Sequence, residues 1–147
     1  MLLIGTKNFG TQSVLTDGLI NLGSTYRRYC RRTNSGLRTF ENMGTGISLN
    51  GEGIYHVTAT FTGSGTEAGD LTVQLFENGI AIEGSEASET ITTATTEVRS
   101  LVIDYYVLVD SACILGCDST VAKTISFENT GIPATFTNVV VNITKEV

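Results

Sequence analysis

Residues 71–85 read LTVQLFENGIAIEGS. Leu71, Val73 and Leu75 alternate with Thr72, Gln74 and Phe76, the period of two expected of a strand with one buried face. Asn78 and Gly79 follow, a residue pair that tolerates positive φ at both centres of a type I′ turn, whose twist matches that of paired strands. A two-residue loop sets the register, so Glu77 is predicted opposite Ile80, Phe76 opposite Ala81, Leu75 opposite Ile82 and Gln74 opposite Glu83. Leu75 and Ile82 then share the core face, while Phe76 and Ala81 make an apolar spot on the other. The hairpin holds no group that does chemistry, so its role lies in architecture.

The same alternation runs outward from it. In GIYHVTATFT (53–62), Tyr55, Val57, Ala59 and Phe61 fall on one side, and Ile54, His56 and three threonines on the other. In EVRSLVIDYYVLVD (97–110), Leu101, Ile103, Tyr105, Val107 and Val109 fill one face, but Val102, Tyr106 and Leu108 occupy much of the second. In PATFTNVVVNITKEV (133–147), Val139, Val141 and Ile143 share a side, with Phe136 and Val140 opposite. An antiparallel sheet in a monomer needs one apolar face, so apolar residues on the second point to contact with another subunit. The alternative is a further sheet covering both faces of an irregular sandwich.

Composition agrees with an all-β chain. There are 23 threonines and 16 glycines against one proline and no tryptophan among 147 residues. That length fits one domain, able to bury roughly 68% of its unfolded surface. The opening MLLIGTKNFG lacks a secretory apolar region, and no run of about 18 apolar residues suggests a membrane span, so a soluble protein made in a cytoplasm is expected. Residues 1–20, weakly periodic and rich in turn formers, read as an N-terminal arm or anchor, with the folded domain over 21–147.

The formal charge of −6 hides an asymmetry. Residues 1–40 carry six basic and one acidic side chain (+5), and 41–147 carry three basic and fourteen acidic (−11). Tyr26, Arg27, Arg28, Arg31 and Arg32, in the run YRRYCRR, form a cluster suited to an acidic partner or to nucleic acid; the plainer reading is a solvated strand edge.

Taken in order, ISLNGEGIYHVTATFT, LTVQLFENGIAIEGSEAS, VRSLVIDYYVLV and ISFENTGIPATFTNVVVNITKE resemble the jelly-roll domain shared by tumour necrosis factor, the globular heads of complement first component and the tips of collagen-like exosporium proteins. With INLGSTYRR leading in, residues 19–147 look like small proteins of that superfamily encoded among structural genes of bacteriophages infecting gut Firmicutes. The resemblance implies a two-sheet antiparallel jelly-roll sandwich of about ten strands, a compact homotrimer, and neither catalytic site nor cofactor. Phe76, Tyr106, Phe136 and Val140 have the off-core parity that a trimer interface of this kind would use. No Gly-X-Y stalk is present.

Other candidate sites are weak. Cys30, Cys113 and Cys117 are an odd set, best read as thiols, with a disulfide or metal site less favoured. His56 is the only imidazole and lies on the threonine-rich side of its strand, more suited to a surface hydrogen bond than to base catalysis. Asp104 is a rim residue or a partner for an arginine of a neighbouring subunit, such as Arg99. Glu83, Glu86 and Glu89 read as a solvated loop rather than a calcium site. The Asn142-Ile143-Thr144 sequon sits inside a strand pattern, with no secretory signal before it, and carries no weight.

Two functions from different classes follow. One is a virion structural protein, a trimeric capsid decoration or head-fibre protein bound to the major capsid protein or another virion protein through its basic N-terminal part. The other is a trimeric tip that presents the loops at 63–70, 84–97 and 110–119 to a host receptor or surface glycan. These loops hold no aromatic side chain for stacking on sugars, which favours decoration.

Overall fold

A computed structural model gives the fold and describes residues 2–28, 40–109 and 123–146. Its strands are β1 (Leu2–Asn8), β2 (Gln12–Val14), β3 (Gly18–Leu19), β4 (Ser24–Arg28), β5 (Phe40–Asn42), β6 (Ile47–Leu49), β7 (Gly53–Gly65), β8 (Gly69–Glu77), β9 (Ile80–Ile91), β10 (Val98–Val109), β11 (Lys123–Asn129) and β12 (Ala134–Lys145). They form two antiparallel six-stranded sheets, a jelly-roll sandwich. The first sheet runs β10-β7-β12-β1-β4, with β2 added beside β12; the second runs β5-β6-β11-β8-β9, with β3 beside β11.

The alternating residues close the core. Tyr55, Val57, Ala59 and Phe61 of β7 and Leu71, Val73 and Leu75 of β8 are fully buried. Each of the valine, leucine and phenylalanine side chains contributes about 1.5–3 kcal/mol relative to exposure. Phe61 links the layers, with its ring centroid 5.1 Å from Phe127 of the second sheet and 6.3 Å from Phe136 of its own. The Tyr55 hydroxyl donates to the carbonyl of Gly51 at 2.5 Å, and burial pushes its pKa up despite that bond. Asn129, fully buried, donates through Nδ2 to the carbonyls of Val14 (3.1 Å) and Ile132 (2.8 Å), while its Oδ1 accepts from the Gly131 amide (3.1 Å). One amide thus satisfies the turn before β12.

Three expectations are corrected. Asn78 (φ 51°) and Gly79 (φ 79°) make the left-handed turn as read, and Glu77 pairs with Ile80 and Phe76 with Ala81. Beyond that point the register shifts, so that Gln74 pairs with Glu86 instead of Glu83, and Leu75 does not pair with Ile82. Gly84, at φ 81°, lets β9 bulge there. The buried Ser85 hydroxyl donates to the Ile82 carbonyl at 2.7 Å, and Gln74 Nε2 donates to that same carbonyl at 3.0 Å, which satisfies the bulged backbone.

The second correction concerns Phe136. A bulge in β12 places Phe136 opposite Gly63 and Asn138 opposite Thr62, leaving Thr137 as the extra residue. Parity is reset, and Phe136 points inward with Val139, fully buried. Gly63 makes the room, because a Cβ there would stand 3.0 Å from Phe136 Cδ1 and 2.5 Å from the Thr135 carbonyl oxygen.

The third concerns residues 1–20. Instead of an arm, β1 lies inside the first sheet between β12 and β4. Leu3, Ile4 and Thr6 are all buried, since a register shift between Leu2 and Ile4 turns neighbouring residues to the same side. Val14 and Ile20 are buried as well.

Candidate assembly face

The outer face of the first sheet is built from the residues that β7, β10 and β12 turn away from the core. On β10, Tyr106 and Leu108 are successive outward residues, each more than half exposed, and Val102, equally exposed, lies on the same face beyond the exposed Asp104. The long β7–β10 ladder sets Leu108 opposite Ile54, Tyr106 opposite His56 and Val102 opposite Thr60, and Thr60 faces Val140 on β12. The result is a cluster of large apolar side chains at one end, Ile54, Tyr106 and Leu108, and a smaller pair, Val102 and Val140, beyond the polar row Asp104–Thr58–Asn142, on a face that the described strands leave open.

Polar groups frame that cluster. The His56 ring stacks on Tyr106, centroids 4.6 Å apart at 14°. Its Nε2 meets a carboxylate oxygen of Asp104, and its Nδ1 is 3.8 Å from a Glu146 oxygen. Arg99, suggested as a partner for Asp104, instead donates to Glu97 at 2.9 Å. Bonds from the Thr92 hydroxyl, from the Thr92 and Thr93 amides and the charge of Arg99 hold the Glu97 carboxyl below its usual range.

At the other side of the same face, Tyr26 of β4 reaches over Gly5 and its hydroxyl donates to Asn142 Oδ1. A Cβ on Gly5 would come within 2.5 Å of that ring, so glycine is what lets the tyrosine lie flat across β1. Lys7 Nζ stands 4.2 Å over the Tyr26 ring. Tyr26 is therefore first a clasp for the terminal strand of the sheet. Arg27 and Arg28 are exposed on that strand. Arg31 and Arg32 lie outside the described residues, as do Cys30, Cys113, Cys117 and the 110–119 segment.

The residues singled out for a trimer interface are not brought together. Tyr106 and Val140 share the outer face of the first sheet, Phe136 is in the core, and Phe76 is half-buried beside Ala81 in the second sheet. Ile54 and the His56–Tyr106 stack belong to the face and escape a strand-by-strand reading; only the register between β7 and β10 makes them neighbours. Glu83, Glu86 and Glu89, expected in a loop, are exposed residues of β9. Among the described residues, no group of three His, Cys, Asp or Glu is arranged to hold a metal ion.

A shallow groove of about 310 Å³ lies on the second sheet, with Leu19 and Met43 on its walls and Thr124, Ser126 and Glu128 among its lining. Burial, and then the charge of Asp17, push the Glu128 carboxyl up.

No family model and no curated protein matches the chain. Solved structures do. Eiger TNF from S. frugiperda superposes with a TM-score of 0.64 at 11% identity, over 100% of this chain and 94% of that one. Murine APRIL at pH 5.0 gives 0.58 at 10% identity, over 99% and 98%. The same protein at pH 8.5 gives 0.59 over the same shares. The fold is thus the tumour necrosis factor-like jelly roll, which matches the sequence resemblance at the level of architecture.

Proposed function

We propose that this chain is a non-catalytic structural module that works as a homotrimer, a capsid decoration or head-fibre protein of a bacteriophage particle. The observation that carries the self-association is the exposed cluster of Tyr106, Leu108 and Ile54, with Val102 on the same strand beyond Asp104, on the outer face of the first sheet. Its partner is the same chain twice over. Tyr106 and Val140 belong to that interface; Phe136, being buried, does not, and Phe76 on the second sheet is left out of it.

The fold class and the resemblance of INLGSTYRR and the following strands to phage structural proteins support the virion setting. Attachment to the major capsid protein or another virion protein falls to the basic terminal strand, Arg27 and Arg28, together with Arg31 and Arg32. Host glycan contact is the competing role for the same module.

Sedimentation velocity tests the assembly: a trimer at micromolar concentration is expected, and Tyr106→Glu should give a folded monomer. A wild-type monomer sinks the interface. Quantitative mass spectrometry of purified virions tests the setting. Many copies per particle, bound to the head, are expected, whereas a few copies at the tail tip would replace decoration with receptor binding.

A further inference from the structure

We infer that the His56–Asp104–Glu146 cluster makes assembly of this chain depend on pH, the trimer tightening as the medium becomes more acidic than neutral. The inference rests on the proposed trimer through the outer face of the first sheet, and it concerns the one imidazole in the sequence.

His56 stands among the side chains that assembly would cover. It is already stacked on Tyr106, and its strand neighbour Ile54 and the facing Leu108 are exposed apolar residues of the same patch. The charged and titratable groups around it can be named element by element. From β10 come Asp104 against Nε2 and the Tyr106 phenol; beyond β12 comes Glu146 near Nδ1; β7 itself adds no titratable group beside it on that face, only Ile54 and Thr58. Two carboxylates therefore meet one imidazole.

In the separate protomer the side chains of Asp104 and Glu146 are 60% and 46% exposed, so water screens both and the pair is worth little. A second copy laid over Tyr106, Leu108 and Ile54 removes that water. A desolvated carboxylate without a cation is costly, and the imidazolium is the cation within reach. The assembled state therefore binds the proton more tightly than the protomer does. The sign follows from linkage: a base whose pKa is raised on assembly favours the assembled state fully below its free value, and that advantage is lost as pH rises through the raised value. A proton held about tenfold more tightly in the assembly would change the association constant roughly 5-fold per protomer across two pH units around neutrality, on the order of 100-fold for three.

The test is the monomer–trimer midpoint of the full chain, followed by dilution across pH ~5.5 to ~7.5 at fixed ionic strength, a window above ordinary carboxylates and below ordinary thiols. If the midpoint lies too low to reach, the same series is run in a fixed sub-denaturing concentration of urea. The expected result is a midpoint about 10-fold higher at the alkaline end, because the midpoint concentration of a monomer–trimer equilibrium follows the square root of its association constant, with the difference flattened in both His56→Gln and Asp104→Asn. A trimer whose midpoint is the same at both ends overturns the inference and leaves the trimer standing. So does a wild-type pH dependence that persists in both variants. A chain that stays monomeric at every pH overturns the proposed assembly and this inference with it.

Discussion

Replacing Phe136 by alanine separates two readings of the last strand. Uninterrupted alternation puts Phe136 on the outer face with Val140, where truncating it would cost within about 0.5 kcal/mol unless it served an interface. The structure puts it inside, fully buried, over Gly63 and 6.3 Å from the Phe61 ring. Removing a buried phenyl group loses its transfer energy and leaves a cavity, about 3–5 kcal/mol together. For a chain of this length each kcal/mol lowers Tm by about 2–4 °C, so the variant should melt roughly 6–20 °C below wild type. With no tryptophan to follow, far-UV circular dichroism during urea unfolding is the suitable probe, at one protein concentration because assembly couples to stability. A loss below about 1 kcal/mol, with the sedimentation state changed, would refute the inward placement and return Phe136 to the outer face.

Gly84→Val should cost about 1–2 kcal/mol in the same assay, because φ 81° is strained for a β-branched residue and the bulge in β9 depends on it; an unchanged urea midpoint would mean that the bulge is not needed. The loop bonded to Glu97 should loosen only in acid. Its carboxyl is held below the usual range in the folded chain, so the stabilisation is present above the ordinary value near 4.3 and is lost as pH falls through the lowered one. Amide exchange at Thr92 and Thr93 would show this, and exchange that quickens already near neutrality would count against it.

What was legible in the sequence is what depends on neighbours along the chain. Period-two runs mark β7, β8 and β10, and Asn78-Gly79 fixes its turn, because both signals are local. A bulge is not. Thr137 looks like any strand threonine, yet as the unpaired extra residue it carries Phe136 to the other face. Likewise LLIGTKN shows no alternation, since Leu3 and Ile4 are both buried across a register shift and glycine stands under Tyr26. The outer face of the first sheet was legible in part: Val102, Tyr106 and Leu108 stand out by parity, while the His56–Tyr106 stack needs the pairing of strands about fifty residues apart.

The position of β1 has a consequence for the order of events in synthesis. Its two neighbours are β4, made almost at once, and β12, made last. β7 also waits, for β10 on one side and β12 on the other. The first sheet therefore has a gap at its centre until residues 134–145 have left the ribosome, and only then are Ile4 and Ile143 covered together. Such distant pairings fold slowly, in about milliseconds to seconds, and leave strand edges open meanwhile. The nascent chain must reach β12 before the first sheet can close.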